Sequence, residues 1–359
     1  MAGKNRPKQQ RLDPAKTPVK GAVREPVKQS DTRRVAETPT FDKKPSPAKR
    51  KNRGGRPGGR SPVPVIRKAS AADWISGARI RTLPLAISPV AIGTAAAYAA
   101  TAFEGWHWVR ALLCLAVALG LQIGVNFAND YSDGVRGTDT HRVGPSRLVG
   151  SGAAKPRTVL AVALVFFALS AAAGVVLVVL SDQYWLLAVG VACILAAWFY
   201  TGGKHPYGYY GLGELFVFVF FGIVATAGTT FVQVGLVNTE SWLGGVAAGF
   251  LACAVLMANN LRDINQDRSA HKRTLAVLVG PLISRVLYTV FLGLPFVVLV
   301  FFAIFYQHGS YVYFSLLFAV PAALILITGM TASEFLLALK LTSLTVLVFG
   351  IGLGLAIAF

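Results

Sequence analysis

Five aspartates fall in two short stretches 130 residues apart. NFANDYSDGVRGTD holds Asp130, Asp133 and Asp139, and ANNLRDINQDRSAHK holds Asp263 and Asp267. Asp130 and Asp133 are spaced i, i+3, and Asp263 and Asp267 i, i+4, so each pair shares one face at a helix end. Gly134 and Gly137 allow a bend that can return Asp139 toward the first pair. Overlaid at the 130-residue offset, Ala128 falls on Ala258, Asn129 on Asn259, Asp133 on Asp263, His141 on His271 and Arg142 on Lys272. This reads as a weak parallel internal repeat, a known way to build a site between two halves of a membrane protein.

Converging carboxylates repel unless water screens them or cations neutralise them. Oxygen ligands without a Cys or His pattern favour Mg²⁺, which keeps several waters and shares its remaining positions with a phosphate-bearing substrate. The same stretches carry Arg136, Arg142, Arg147, Arg262, Lys272 and Arg273. Such a mixture suits Mg²⁺ ions, two by expectation, bridging a diphosphate while Arg and Lys hold the remaining oxygens. The plainer alternative is a pair of solvated loops whose surface ion pairs contribute little. Two similar clusters on the same side of the chain favour the metal reading.

The elements that must position these residues are apolar. The chain of 359 residues is 54% hydrophobic and only 14% charged, well below the roughly 25% of a soluble domain. Nine apolar segments follow one another at about 82–102, 107–128, 157–180, 183–200, 212–235, 241–260, 279–305, 312–330 and 333–358. Each is near the ~20 residues a spanning helix needs, and helices satisfy their own backbone in lipid. The expected fold is an all-α polytopic membrane protein with nine transmembrane helices around a central cavity. Lys and Arg concentrate before the first segment and after the second, fourth and sixth, which predicts a cytoplasmic N-terminus with both acidic stretches on that side.

The formal charge of +19 belongs mostly to residues 1–69, which hold 20 Lys/Arg against 5 Asp/Glu and ten of the 18 prolines. They are expected to form a disordered basic cytoplasmic tail, with residues 70–359 as the membrane domain. KRKNRGGRPGGR, residues 49–60, has a nucleic-acid-like composition. Attraction to anionic lipid explains it as well, and no nucleic-acid partner is expected. No apolar core precedes residue 82, so no signal peptide is expected. Cys114, Cys193 and Cys253 lie inside apolar runs without ligand spacing and read as packing residues. GLGE at 211–214 is too short for a dinucleotide fingerprint. His141, His205 and His271 form no metal-binding pair.

Asn129-Asp130-x-x-Asp133 with Asp139, and Asp263-x-x-x-Asp267, resemble the two aspartate motifs of the UbiA-type intramembrane prenyltransferases. ARIRTLPLAISPVAIGT at 78–94, RVGPSRLVGSG at 142–152, YTGGKHPYGYYGLGELFVFVFFG at 200–222 and NNLRDINQDRSAHKRTLAV at 259–277 look like the branch that prenylates 1,4-dihydroxy-2-naphthoate. The five residues between Asp133 and Asp139 also resemble that branch. The basic tail is no part of the pattern. The resemblance implies Mg²⁺-dependent transfer of a polyprenyl group from a polyprenyl diphosphate to the aromatic acceptor, giving a demethylmenaquinone for menaquinone biosynthesis in the plasma membrane. Alternatives are a member of the superfamily using 4-hydroxybenzoate, a porphyrin-like acceptor or phosphoribose, and, from another class, a cation-coupled transporter.

Within that reading Asn129, Asp130, Asp133, Asp139, Asp263 and Asp267 are the expected metal ligands. Asp130 has a second reading as a residue that orients a helix end. Asp133, Asp263 and Lys204 are the expected catalytic groups. Lys204, Arg142, Arg147, Arg262 and Lys272 are expected on the diphosphate, although a positive-inside bias would also place such charges. Arg79 and Arg81 could hold the acceptor's carboxylate as a fork, with Tyr200 beside the acceptor. The rings of Tyr200, Tyr207, Tyr209 and Tyr210 suit either a carbocation or an interfacial belt. Glu214 reads as an acid stabilising a helix N-terminus.

Overall fold

The computed structural model describes residues 68–103, 105, 107–137 and 147–359. The tail expected over residues 1–69 therefore lies outside the described residues apart from its last two positions, as do Asp139 and Arg142. Among the described residues every regular element is helical.

Each predicted apolar segment coincides with helix. Seven stretches are long and apolar enough to cross a bilayer: α3 (Trp108–Arg136), α4 (Pro156–Ser181), Gly213–Val234, α8 (Thr239–Arg262), α10 (Leu275–Phe305), Gly309–Thr328 and α12 (Ala332–Ala358). Gly213–Val234 comprises α6 (Gly213–Val217), a π-helical turn (Phe218–Val224) and α7 (Ala225–Val234); α11 (Leu316–Thr328) ends Gly309–Thr328. The first predicted segment is part of a bent pair: Ala71–Thr82, containing α1 (Ala71–Ala78), meets α2 (Pro84–Ala100) at 46°. The path breaks first at Arg79, the left-handed cap of α1 (φ 53°, ψ 59°), and Pro84 then opens α2 at its first position, where its missing N–H costs nothing. The predicted fourth segment is α5 (Leu186–Phe199), whose 14 residues make about 21 Å of helix, short of a ~30 Å hydrocarbon layer. A turn at residues 182–185 starts it and the turn at Tyr200–Thr201 ends it. A short helix, α9 (Ile264–Ser269), follows α8.

The core gathers around α8, packed between α2, α10 and α12 through Leu251, Met257, Ile92, Phe349, Leu353 and Leu299. Lipid tails are as apolar as these side chains, so close approach of backbones contributes much of the helix association. Gly350 and Gly354, four apart on α12, face Ser88 and Ala91 of α2; a β-carbon at 350 would lie 1.9 Å from Ser88 Oγ. A buried polar pair, Tyr288 Oη and Thr342 Oγ1 at 2.7 Å, ties α10 to α12.

On the other side of α8, a cavity of about 700 Å³ is walled by parts of α2, α3, α4, α5, the Gly213–Val234 span and α8. Its lining on α3 runs from Cys114 to Asp133, about 28 Å along the helix axis. One end is charged and the shaft is almost wholly apolar.

Gly350→Val should force α2 and α12 apart and cost about 1–3 kcal/mol. Thermal unfolding in detergent should register it as a lower midpoint; an unchanged midpoint would mean that the two helices do not meet there.

Candidate active site

The charged end is assembled from four stretches of chain. The first acidic motif does not follow a helix end: α3 continues through it to Arg136, and Gly137, at φ 72°, is the left-handed cap. Gly134 therefore makes no bend. It is helical, and a glycine is required there because Val149 packs where a β-carbon would be, at 2.3 Å. The bend expected of both glycines is made by Gly137 alone.

Asp130 turns to the segment after the undescribed loop. Its Oδ2 accepts from Leu148 N at 2.9 Å and its Oδ1 from Val149 N at 3.1 Å. Leu148 is buried against Phe127 and Phe167, so this segment is held by both polar and apolar contacts. It delivers Arg147, which donates to Asp133 Oδ2 at 2.9 Å and to the Asn129 carbonyl at 3.1 Å. Asp130 thus fastens a turn rather than orienting a helix end, while still lining the cavity.

The third stretch is the turn after α5. Arg136 donates to the carbonyls of Thr201 and Gly203, and Thr201 Oγ1 donates to Asn129 Oδ1 at 2.6 Å. Tyr209 then donates from its hydroxyl to Asp133 Oδ1 at 2.8 Å. Its ring lies between Arg136, at 5.4 Å, and Lys272, at 4.8 Å. Burial and the Asp133 carboxylate both push the Tyr209 phenol far above its ordinary value, so it remains a donor across the working pH range.

The fourth stretch is the second acidic motif. Asp263 sits at the break between α8 and α9, and Arg262 donates to both its oxygens, at 2.7 and 2.6 Å, and to Asn259 Oδ1 at 2.8 Å. Asp267, one turn on, bonds its backbone to Asp263 O at 2.8 Å and accepts from Lys272 N at 2.8 Å. Lys272 reaches across to Asp133 Oδ1 at 2.7 Å. Arg273 N donates to Tyr209 O at 3.0 Å. The two acidic motifs therefore meet at one end of the cavity, and Asn129 and Asn259, paired by the repeat, both line it.

The remaining expected residues divide. Arg79, Arg81 and Tyr200 line the cavity; Arg79 holds a left-handed φ of 53°, and burial raises the Tyr200 phenol. Lys204 is exposed and outside the lining, because Arg136 fixes the turn by its carbonyls and leaves the lysine outward. Glu214 stands in the first turn of α6, as read from the sequence, but is buried there and accepts from Asn260 Nδ2 at 3.1 Å. Arg136, Thr201 and Tyr209 are the positioning groups that sequence reading left without individual roles. The signal for Arg136 was its place one residue before a glycine cap, where its side chain can reach a neighbouring helix end.

Among the described residues the lining holds Asp130, Asp133, Asp263 and Asp267 against Arg79, Arg81, Arg147, Arg262 and Lys272. The cations outnumber the acids by one, so the site is self-neutralised and inclined toward an anion. Arg262 Nη1 is buried without a partner, which leaves a strong donor for one. No three Asp, Glu, His or Cys side chains among the described residues form a metal cage by themselves. The donors fit a hard cation whose shell an anionic ligand completes: carboxylate and amide oxygens of Asn129, Asp133, Asn259, Asp263 and Asp267 around one space.

The UbiA prenyltransferase family profile matches residues 86–334. The chain belongs to this family. This UbiA prenyltransferase is 57% identical over 220 residues to the 1,4-dihydroxy-2-naphthoate octaprenyltransferase of Mycobacterium tuberculosis, covering 61% of this chain and 74% of the relative. It is 37% identical over 252 residues to the protein of that name from Escherichia coli, covering 68% and 81%. Two UbiA homologues of known structure share the fold. One is from Aeropyrum pernix, with TM-score 0.58, 17% identity, and 77% and 96% of the two chains covered. The other is from Archaeoglobus fulgidus, solved with GPP and Mg²⁺, with TM-score 0.53, 14% identity, and 80% and 99% covered. The fold and the apolar helices make this a multi-pass membrane enzyme.

Tyr209→Phe keeps the ring and removes one hydrogen bond to a buried carboxylate. Prenyl transfer should fall about ten- to a hundredfold with the unfolding midpoint little changed; wild-type turnover would mean the phenol does not help hold Asp133.

Proposed function

We propose that this enzyme transfers a polyprenyl group from a polyprenyl diphosphate to 1,4-dihydroxy-2-naphthoate in the plasma membrane, with the charged end of the cavity facing the cytoplasm and the product a demethylmenaquinol, the reduced form of a demethylmenaquinone. The observation that carries the reading is a single cavity with an anion-ready charged end above a long apolar shaft. A diphosphate head and an isoprenoid tail match those two parts. The names of the naphthoate octaprenyltransferase relatives support the acceptor and the pathway.

Asn129, Asp133, Asp263 and Asp267, with Asp130 and the undescribed Asp139, would hold Mg²⁺, two ions by the reasoning from charge. Bound there, Mg²⁺ supplies Lewis-acid stabilisation of charge on the leaving diphosphate. Arg147, Arg262 and Lys272 bind its oxygens; Arg142, outside the described residues, is assigned to the same anion, whereas Lys204, directed outward, is not. Arg79 and Arg81 hold the acceptor's carboxylate beside Tyr200. The carbon–oxygen bond of the donor breaks with its electron pair leaving on the diphosphate. The allylic cation is taken by a ring carbon of the acceptor, whose proton is then lost to restore the aromatic ring; the neighbouring carboxylate leaves as carbon dioxide and a proton takes its place. The apolar shaft keeps water from the cation.

Asp133→Asn and Asp263→Asn should each lower transfer at least a hundredfold while the purified protein still elutes as a folded species. Near-normal turnover in either would reject the metal assignment. Treating the wild-type enzyme with EDTA should abolish product, read by mass from one polyprenyl diphosphate and a panel of aromatic acceptors, and added Mg²⁺ should restore it. Preference for 4-hydroxybenzoate in that panel would overturn the acceptor.

A further inference from the structure

Between Arg110 and Asn126 the only side chain of α3 with an amide, hydroxyl or charge is Gln122. A lone amide in an apolar span is costly unless it has work to do. Gln122 is 4% exposed, lines the cavity, and leaves Oε1 buried without a hydrogen-bond partner.

The orientation of that amide is fixed by its neighbours. Thr82 Oγ1 donates its one hydrogen to the Arg79 carbonyl at 2.9 Å. It can therefore only accept from other groups, and it accepts from Gln122 Nε2 at 2.8 Å and from Asn126 Nδ2 at 3.1 Å. Asn126 spends its second amide hydrogen on the Ala78 carbonyl at 2.9 Å. Flipping Gln122 would set its oxygen against a hydroxyl with no hydrogen left to give. The nitrogen therefore faces Thr82 and the oxygen stays unfilled. The same hydroxyl grips the carbonyl of Arg79, whose left-handed backbone is thereby tied to the amide.

Gln122 lies seven residues from Asn129 along α3, about 10 Å into the shaft from the charged end. An isoprenoid tail carries no donor for a buried carbonyl oxygen. A ring hydroxyl does. The geometry points to Gln122 as the residue that selects the acceptor, its Oε1 accepting a hydrogen bond from a ring hydroxyl of a hydroxyaromatic acid. This assignment rests on the proposed prenyl transfer and names the part of the acceptor that is recognised. An amide cannot take the proton. The hydrogen bond instead orients the ring and increases electron density at the carbon beside the hydroxyl.

The test uses the full chain in lipid nanodiscs with Mg²⁺, one polyprenyl diphosphate, 1,4-dihydroxy-2-naphthoate, and its 1-O-methyl and 4-O-methyl ethers. Wild type should lose about tenfold or more in kcat/KM on one ether. Gln122→Met should lose about as much on the parent acceptor, lose no more on that ether, and keep the KM for the prenyl diphosphate. An equal further loss on the ether, no discrimination by wild type between parent and either ether, or a loss confined to the diphosphate KM would overturn the assignment. Should the methionine variant not fold, Thr82→Val decides: the ratio of parent to ether turnover shrinks toward one if the amide is held as described, and keeps its wild-type value if it is not. Wild type that prenylates no hydroxynaphthoate would remove the proposed acceptor and this assignment with it, whereas transfer without ether discrimination removes this assignment alone.

Discussion

The structure turns on the buried charge of Asp133. Taking a carboxylate out of water costs several kcal/mol even after relaxation, and this one is 2% exposed. Among the described residues, donors that compensate it are Arg147, Lys272 and the Tyr209 hydroxyl. Each comes from a different segment, so the carboxylate fixes where the turns after α3, α5 and α9 stand relative to one another. Asp130 and Arg136 work behind it, one holding the backbone that carries Arg147 and the other the turn that leads to Tyr209.

The same balance bears on how the site would meet the proposed diphosphate and its metal. Before a ligand arrives Asp133 is paired with Arg147 and Lys272, and Arg262 holds Asp263 with two short bonds. A site built only of carboxylates would repel a diphosphate. One built only of Arg and Lys would bind it tightly, with nothing to hold a metal against the leaving group. Interleaving both signs lets an anion and its cations enter together by exchanging partners, and the net charge of the pocket changes little.

Much of this was legible in the sequence because it is written in two strong signals. Apolar run length located every spanning element, and the 130-residue offset matched Asn129 with Asn259 and Asp133 with Asp263 at one cavity. The shortness of α5 was not legible, since hydropathy continues through Tyr184 and Trp185 where the backbone has already turned. Gly134 misled: a glycine near a helix end signals a bend, but here it makes room for Val149, a contact that exists only after folding. Tyr209 was one of four tyrosines in a row of interfacial aromatics. Only the meeting of three loops distinguishes it. Lys204 shows the reverse, a charge well placed in sequence that the fastened turn directs outward.

The crossing of α12 over α2 at Gly350 has a mechanical consequence. With backbone resting on Ser88, that pair has no side-chain layer to compress, and with α8 it forms a stiff rear wall. α4 packs closely along α3, whereas the short α5 has no fully buried residue. Strain introduced by a long, branched hydrocarbon guest must therefore be taken up by the wall that includes α5. The cavity resembles a vice with one fixed jaw: the proposed chemistry would be aligned against the rigid side, while the yielding side would adjust to the length of the proposed donor's tail.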